Sequence, residues 1–307
     1  MNKVIVFCNN RMAIPALQTM AQNGVLEGIG IPETNHELEQ ECRYFFEKST
    51  VSIRKLARKT LEEDTLNWLE TTEASHIFLM TFPWKIPAQL LAAFPNNFLN
   101  FHYGLLPQMR GVDPIFESIR RKCSETGITI HIVTPEIDKG PILMTQKISL
   151  NKNTTHGVLC NQMANLNAQM SLQLIHLLRQ SPVLEGQQQS EQDAAYYKRP
   201  GLNDVKINWQ TMDSSSIDAL TRACNPWNKG AYTSYGHWNF RILAVSDAGE
   251  TSDTSSPGTI SKGDDNTLLV HCIDNRKLHI TIIHSDEGYF EGNKLFEFGI
   301  VPGSRLN

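Results

Sequence analysis

The most informative part of the chain is residues 100–111, which read Asn-Phe-His-Tyr-Gly-Leu-Leu-Pro-Gln-Met-Arg-Gly. The apolar and aromatic residues that begin at Phe98 predict a short buried strand that ends near His102. Side chains two positions apart on a strand point the same way, so Asn100 and His102 are expected side by side at its carboxyl end. In open α/β sheets this edge is where ligands bind. An amide beside an imidazole there suits a reaction that needs a positioned proton and an oriented carbonyl group.

A carboxylate follows a second predicted strand. Residues 126–133 read Thr-Gly-Ile-Thr-Ile-His-Ile-Val, a β-branched run that is typical of a strand. The next residues, 134–140, predict a loop that carries Asp138 and ends at a glycine. An aspartate within reach of His102 would fix the tautomer of the imidazole and favour its protonated form.

Together, these two stretches resemble the formyltetrahydrofolate-dependent formyltransferase family. The family pattern is Asn-x-His, then Leu-Leu-Pro-x-x-Arg-Gly, then Thr-Gly-x-Thr-x-His, then an aspartate followed by a glycine two residues later. All four pieces stand here in this order. One departure is visible, because many members carry serine directly before Leu-Leu-Pro, where this chain has Gly104. The resemblance implies that the catalytic residues are Asn100, His102 and Asp138.

The implied reaction is attack by a neutral primary amine on the formyl carbon of N10-formyltetrahydrofolate, through a tetrahedral intermediate with a negative oxygen. In that scheme His102 stabilises the negative oxygen, and the Asn100 amide orients the formyl oxygen and the histidine. Asp138 holds His102 and helps to take the proton from the attacking nitrogen. The scheme requires no metal and no covalent intermediate on the protein.

The resemblance covers nearly the whole chain and implies two domains. The expected fold class is α/β, with a Rossmann-like open sheet forming a catalytic domain over residues 1–185. Residues 186–203 contain glutamines and other polar residues and are predicted to be a linker. From residue 204 to residue 307, short apolar runs separated by turn residues predict a small OB-like β-barrel.

The resemblance also implies that two loops at the carboxyl edge of the sheet bind the folate donor. The loop of residues 81–87 carries two aromatic side chains that could pack against the pterin or the aminobenzoyl ring. The alternative is that these side chains only cover the end of the sheet. The predicted donor-binding residues are Phe82, Trp84, Lys85, Ile86, Ile132, Val133 and Thr134.

Three residues are candidates for binding the acceptor substrate. Arg110 either binds an acidic part of the acceptor or clamps its own loop against backbone carbonyls. Asn9 and Arg11 follow the first predicted strand, at the same edge of the sheet. His131 lies inside a predicted strand, so we expect a hydrogen-bonded structural histidine there.

The composition narrows the class of protein. The chain has 307 residues and a formal net charge of -4, and this mild acidity argues against a general nucleic-acid footprint. No apolar run is long enough to cross a membrane, and the first one is too short for a signal peptide. A cytoplasmic protein with reduced thiols is therefore expected. The six cysteines include no Cys-x-x-Cys pair, which argues against a zinc site. The turn after the first strand lacks the glycines of a dinucleotide site, which argues against a nicotinamide cofactor.

Residues 33–48 bear on the identity of the acceptor. Acids outnumber bases in this segment, whereas family members that act on initiator methionyl-tRNA usually carry a basic, glycine-rich insertion here. Phosphate contacts require lysine and arginine, so the sequence favours a small-molecule amine, such as an amino-sugar nucleotide or an amino-acid-derived amine. Formyl transfer to methionyl-tRNA is the alternative, and a non-catalytic folate-binding module is a further alternative.

Overall fold

A computed structural model describes residues 3–181 and 184–307. The predicted domain of residues 1–185 also includes residues 1, 2, 182 and 183, which lie outside the described residues. The chain forms two compact units: the first comprises Met1–Pro114, Thr126–Ile148 and Cys160–Tyr197, and the second comprises Ile115–Glu125, Ser149–Leu159 and Lys198–Asn307. The segment predicted as a linker is therefore divided after Tyr197, and its first part belongs to the first unit.

A seven-stranded sheet forms the centre of the first unit. The strands up to residue 197 are β1 (Lys3–Cys8), β2 (Leu26–Pro32), β3 (Ser52–Leu56), β4 (Ala74–Met80), β5 (Phe98–His102), β6 (Arg110–Gly111), β7 (Glu125–Ile132), β8 (Ile142–Ser149) and β9 (Tyr196–Tyr197). The sheet has the order β3-β2-β1-β4-β5-β7-β8, and β6 pairs separately with β9. Strands β1 to β5 pair in parallel, whereas β7 runs antiparallel to β5.

Two of the helices begin at a cap or a proline that the sequence supplies. The α-helices are α1 (Ile14–Gln22), α2 (His36–Phe45), α3 (Leu61–Leu69), α4 (Ala88–Ala93), α5 (Pro114–Arg120), α6 (His156–Gln180), α7 (Ser214–Ala223) and α8 (Lys294–Glu297), and 3-10 turns cover Arg11–Ala13, Leu202–Asp204 and Asp264–Asn266. The Asn35 side chain accepts a hydrogen bond from Leu38 N at 3.2 Å and so caps α2. Pro15 occupies the first turn of α1, where its missing N–H costs no helical hydrogen bond.

The order of the strands reverses at β1. From β1 the chain builds outward through β2 and β3, and it then returns to add β4 and β5 on the other side of β1. Ligands bind at the carboxyl ends of the strands where the order reverses in this way. At this point Asn9 N donates to Thr81 Oγ1 at 3.4 Å, joining the residues that follow β1 and β4. Strand β5 ends at His102 on the same edge.

Close packing explains the glycines of β2. A Cβ atom on Gly28 would lie 2.4 Å from the Trp68 ring, and one on Gly30 would lie 2.6 Å from the Phe7 ring. Trp68 and Phe7 are fully buried, and their rings stack with centroids 6.1 Å apart. Gly28 and Gly30 therefore make room for the core and do not form a phosphate-binding turn.

The second unit contains an antiparallel sheet. Its strands are β10 (Ala231–Tyr235), β11 (Trp238–Glu250), β12 (Ile260–Lys262), β13 (Leu268–His271), β14 (Arg276–Ser285) and β15 (Gly288–Glu291), arranged in the order β10-β11-β14-β13-β12 with β15 beside β14. The last five residues connect the two edges of this sheet. Ile260 N donates to Ser304 O at 2.8 Å, and Ser234 exchanges two backbone hydrogen bonds with Asn307 at 3.3 and 2.9 Å. This segment closes the sheet into a barrel.

The predicted fold class is confirmed, because a Rossmann-like open sheet with helices is followed by a small antiparallel β-barrel. Among residues 3–181 and 184–307, no helix is both long enough and apolar enough to cross a membrane.

Candidate active site

The end of β5 brings the predicted catalytic residues together. Asn100 pairs in register with His131 of β7, and His102 pairs with Thr129. His102 is 5% exposed and Asp138 is 8% exposed, so both lie below the surface. His102 Nδ1 lies 3.6 Å from Asp138 Oδ1. The structure therefore places the three residues predicted from the sequence in one cluster at the carboxyl edge of the sheet.

The contact made by His102 Nε2 shows which nitrogen of the neutral ring carries the hydrogen. His102 Nε2 lies 2.6 Å from the backbone oxygen of Met109. A carbonyl oxygen can only accept, so Nε2 carries a hydrogen and donates it. In the neutral ring Nδ1 is then unprotonated and faces Asp138, and a second proton, when it binds, occupies the space between Nδ1 and the carboxylate.

Burial and the neighbouring carboxylate act on His102 in opposite directions. Burial lowers the pKa of His102, while Asp138 and the Met109 carbonyl raise it, and the net direction is downward. Asp138 thus favours the protonated form, as the sequence predicts, but burial has the larger effect. Burial raises the pKa of Asp138, whereas His102, His131 and the Gly111 N–H together hold it below its ordinary value. Asp138 is therefore ionised at neutral pH and is able to accept a proton.

His131 orients the Asn100 amide. His131 Nδ1 lies 2.9 Å from the carbonyl oxygen of Ile132, so Nδ1 carries the hydrogen of the neutral ring. In this tautomer Nε2 accepts from Asn100 Nδ2 at 3.0 Å. This contact fixes which end of the amide faces the histidine and leaves Asn100 Oδ1 pointing away from it. The same nitrogen of His131 lies 3.8 Å from Asp138 Oδ1, so a positive charge on the ring acts directly on the carboxylate and lowers its pKa. The histidine predicted to be structural is hydrogen-bonded and touches a predicted catalytic residue.

Titration of His102 provides a test of this electrostatic arrangement. Asp138→Asn is expected to move the His102 midpoint to lower pH, because it removes the charge that opposes the effect of burial. Histidine Cε1–H resonances measured by NMR between pH 4 and pH 8 would report the shift, with His176, an exposed residue of α6, as the internal control. A midpoint unchanged by Asp138→Asn would contradict the assigned contact.

The same pKa shift sets a direction for stability against pH. Because the native pKa of His102 is below its ordinary value of 6.5, the unfolded chain binds this proton more readily. The contribution of His102 to stability is therefore complete above about pH 6.5 and decreases as the pH falls below it. Asp138, whose native pKa is also lowered, adds a further loss of stability on acidification below its ordinary value of 3.8.

The two predicted donor-binding loops meet on one hydrophobic cluster. Ile86 is buried within this cluster, and Phe82, Trp84 and Val133 pack against it while remaining partly exposed. The Phe82 and Trp84 rings are in edge contact, with centroids 5.2 Å apart. Among the other residues predicted for donor binding, Ile132 is buried, Thr134 is half-buried and Lys85 is exposed. The loops after β4 and β7 thus present an apolar surface at the edge where β5 ends.

Arg110 contacts residues that the sequence did not single out. Its side chain is 4% exposed, and it donates to Gln189 Oε1 at 3.1 and 2.9 Å and to both carboxylate oxygens of Glu191 at 3.0 and 2.9 Å. Gln189 belongs to the segment predicted as a linker, in a run of glutamines that has no helical or strand periodicity. In the structure Arg110 is held by these two side chains and not by the carbonyls of its own loop.

Asn9 and Arg11 are held by the start of α2. Asn35 Nδ2 donates to Asn9 O at 3.0 Å and to Asn9 Oδ1 at 2.9 Å. Arg11 donates to Glu37 and Glu41 at 2.8 Å each. Both predicted acceptor-binding residues thus lie at the carboxyl end of β1, at the point where the strand order reverses, and both have partners within the protein.

Packing also explains Gly104, the visible departure from the family pattern. A Cβ atom at this position would lie 2.6 Å from the Pro114 side chain. The Gly104 carbonyl accepts from Thr129 Oγ1 at 2.7 Å, and the same hydroxyl accepts from Leu106 N at 3.2 Å. Thr129 therefore attaches the Leu-Leu-Pro loop to β7 without a side chain at residue 104.

Comparison with known proteins establishes the family. Residues 15–175 match the formyl transferase family, and residues 202–289 match the formyl transferase C-terminal domain. The chain therefore belongs to the formyl transferase family, as its motifs indicate.

Its sequence relatives include methionyl-tRNA formyltransferases. The enzyme of Orientia tsutsugamushi is 28% identical over 276 residues, which cover 88% of this chain and 88% of the relative. The enzyme of Aromatoleum aromaticum is 34% identical over 174 residues, which cover 57% of this chain and 53% of the relative.

Solved structures of formyltransferases share the fold. An N-formyltransferase of Helicobacter canadensis, solved with folinic acid and dTDP-3-aminofucose, has a TM-score of 0.71 at 17% identity, over 91% of this chain and 99% of that chain. The methionyl-tRNA formyltransferase of Clostridium thermocellum has a TM-score of 0.57 at 17% identity, over 80% of this chain and 93% of that chain. At such low identities the likeness supports the fold and does not identify the substrate.

Proposed function

We propose that this protein transfers a formyl group from N10-formyltetrahydrofolate to the primary amine of a small molecule. The observation that carries the proposal is the cluster of Asn100, His102 and Asp138 at the carboxyl end of β5, with His102 Nδ1 3.6 Å from Asp138 Oδ1. A buried imidazole beside an ionised carboxylate supplies both a proton donor and a proton acceptor for acyl transfer.

The chain's own residues account for each proton in the reaction. The acceptor nitrogen forms a bond to the formyl carbon, the bond from that carbon to N10 breaks, and one proton passes from the acceptor nitrogen to N10. Asp138 receives the proton of the attacking amine and returns it to N10 as the bond from carbon to N10 breaks, while His102 stabilises the negative oxygen of the tetrahedral intermediate. A direct hydrogen bond from His102 Nε2 to that oxygen requires the Met109 carbonyl, its partner in the structure, to move aside.

The residues around the cluster fit a folate donor. A flat aromatic ring system requires an apolar surface near the reacting group, and the partly exposed side chains of Phe82, Trp84 and Val133 supply one. When bound, the donor supplies an activated formyl group. The protein's part is to hold the ring system on this surface, exclude water and direct the formyl carbon towards His102.

Binding of a stable folate analogue tests the donor site without turnover. Folinic acid titrated into the protein is expected to quench tryptophan fluorescence, and Trp84→Ala is expected to weaken binding about tenfold, since aromatic packing of this kind contributes about 1 kcal/mol or more. Trp238→Phe, in the barrel of the second unit, is the control and should leave affinity unchanged. Equal affinity of Trp84→Ala and the wild type for folinic acid would show that Trp84 is not part of the donor site.

The charge around the edge supports a small amine as the acceptor. Arg11, the cation that follows β1, is paired with two glutamates of α2. Glu37, one of these partners, has a side chain that is 78% exposed. A polyanionic acceptor approaching the ends of β1 and β2 would therefore meet an arginine whose charge is already balanced.

A second candidate is methionyl-tRNA, and two observations favour it. The sequence relatives described above are named methionyl-tRNA formyltransferases, and the one from Orientia tsutsugamushi matches over 88% of the chain. In addition, three glutamates of the acidic segment are neutralised, because Glu37 and Glu41 pair with Arg11 while Glu39 pairs with Arg43 and Lys55. The repulsion that the sequence predicts for this segment is thus weaker than its composition indicates.

Salt dependence separates the two acceptors. A tRNA acceptor held through six to ten phosphates would lose about 10³–10⁵ in affinity between 50 and 200 mM salt. For a small amine with one or two phosphates, the KM is expected to change only several-fold over the same range. The assay follows formylation by the mass gain of one formyl group, with initiator methionyl-tRNA and with a panel of amino-sugar nucleotides and other primary amines.

The results of that assay distinguish the candidate functions. Formylation of tRNA with steep salt dependence would favour the second candidate. Folate binding without transfer to any amine in the panel or to tRNA would indicate the non-catalytic module.

A further inference from the structure

Residues 187–197, which we call the strap, contact the loop that follows β7 and the loop that leads into β6. Gln187 and Ile142 exchange two backbone hydrogen bonds of 2.8 Å, which places the start of the strap beside β8. Further along, Arg110 N donates to Ala195 O at 3.0 Å and Ala195 N donates to Pro107 O at 3.2 Å. The strap ends at β9, which pairs with β6. All of these residues belong to the first unit.

Gln189 is the point where the strap touches both loops at once. Its Nε2 donates to Asp138 O and to Gly140 O, each at 2.8 Å. Its Oε1 accepts from Arg110 Nε and Nη2 at 3.1 and 2.9 Å. Both N–H groups and both lone pairs of the amide are used, so the side chain has its full set of hydrogen bonds.

These partners allow only one orientation of the Gln189 amide. The two carbonyls can only accept and the guanidinium can only donate. Rotating the amide by half a turn would set oxygen against oxygen and N–H against N–H at four contacts. Gln189 therefore works as a fixed bridge between the loop after β7 and the first residue of β6, and neither aspartate nor lysine reproduces it.

The geometry of the catalytic cluster depends on the two loops that Gln189 joins. Asp138 has a φ of 55°, a left-handed conformation that is uncommon for residues other than glycine. Its Oδ2 accepts from Gly111 N at 2.9 Å, so the position of the carboxylate depends on the residue next to Arg110. Met109, on the other side of Arg110, accepts from His102 Nε2. A shift of one loop relative to the other would thus change the His102–Asp138 separation.

We propose that Gln189 is a positioning residue for the transfer reaction, which holds the backbone of Asp138 and Gly140 against Arg110 and so sets the distance between the Asp138 carboxylate and His102. This role rests on the proposed function, because it concerns the same cluster. It also gives the strap a function: the segment between the glutamine run and β9 belongs to the active site and is more than a connection to the barrel.

The first test compares neighbouring glutamines. Gln189→Ala is expected to lower kcat about ten- to a hundredfold with little change in the KM of the acceptor, because displacement of a catalytic group by about 1 Å is costly. Gln188→Ala is the matched control, since Gln188 is the adjacent residue and is exposed. Equal kcat values for Gln189→Ala, Gln188→Ala and the wild type would overturn the proposal.

Gln189→Glu is the isosteric variant, which replaces the two N–H donors by an acceptor oxygen and adds a negative charge beside Arg110. A carboxylate there keeps its attraction to Arg110 but sets negative oxygens against the Asp138 and Gly140 carbonyls, so the same loss of kcat is expected with the overall shape retained. In the Asp138→Asn background, either Gln189 variant should cost much less than in the wild type, because it acts through Asp138. Full additivity of the two losses would contradict the proposal.

The His102 titration distinguishes positioning from folding and needs no substrate. In Gln189→Ala, which adds no charge, the His102 midpoint measured by NMR is expected to shift towards that of Asp138→Asn. A wild-type midpoint in Gln189→Ala, with reduced thermal stability, would show a structural role only and overturn the proposal. If the wild type transfers formyl to no amine, the proposed function fails, while the titration still tests the link between Gln189 and His102.

Discussion

His102→Ala is expected to lower kcat for formyl transfer by about a hundredfold or more, the usual consequence of removing one donor to a developing oxyanion. The imidazole is the buried donor of the cluster, and its Nδ1 faces the ionised carboxylate of Asp138 at 3.6 Å. The measurement is single-turnover formylation with saturating donor, so that chemistry is separated from product release. The KM of the acceptor is expected to change little, because His102 acts on charge that develops only in the transition state.

Two further variants sharpen this prediction. His176→Ala removes an exposed histidine of α6 and should retain the kcat of the wild type. The double variant His102→Ala with Asp138→Asn should lose much less than the product of the two single losses, because residues that act as one unit are strongly non-additive. Turnover by His102→Ala at the rate of the wild type would mean that the reaction takes place at another site.

Gly111→Ala is expected to destabilise the protein by at least about 2 kcal/mol and to reduce activity as well. Gly111 has a φ of 120°, which side-chain-bearing residues rarely adopt, and an added Cβ would lie 1.9 Å from the Tyr197 carbonyl oxygen. To relieve this clash, β6 must move away from β9. The same movement takes the Gly111 N–H away from Asp138 Oδ2, its acceptor. Chemical denaturation measures the first effect and single-turnover kinetics the second.

Gly24→Ala is the matched control for this variant. Gly24 also has a positive φ, of 67°, but no atom outside its chain neighbours lies within 4 Å of the added Cβ. This control therefore measures backbone strain without a clash, and its cost should be about 1 kcal/mol. A similar small cost for Gly111→Ala, with full activity, would show that β6 and β9 separate easily and do not constrain the cluster.

Sequence patterns were sufficient for the features that depend on near neighbours. Alternation along β5 predicted that Asn100 and His102 share one edge, and the β-branched run of residues 126–133 predicted β7 and the loop with Asp138. The first follows from the two-residue period of a strand, and the second from the β propensity of branched residues and from turn residues. The family motifs added the chemistry, and the match of residues 15–175 to the formyl transferase family agrees with them.

Electrostatic arguments from composition were less reliable. The composition of residues 33–48 predicts repulsion of phosphates, yet the glutamates of this segment pair with three cations, Arg11, Arg43 and Lys55. Arg11 and Lys55 precede and follow α2 in sequence, and only the parallel packing of β1, β2 and β3 brings them beside it. The charge of a segment predicts its surface potential only when its partners are known.

The sequence by itself determined the class of fold, the family and the identity of the three clustered residues, because periodicity and short motifs are local properties. Only the tertiary structure decided that Gln189 joins Asp138 and Arg110 of the candidate active site, since it lies 51 residues from Asp138 and 79 from Arg110. Among three consecutive glutamines, no local pattern marks the one that is bonded. The pairing of Gln187 with Ile142 sets the register and brings Gln189 to the two carbonyls, while Gln188 lies in solvent.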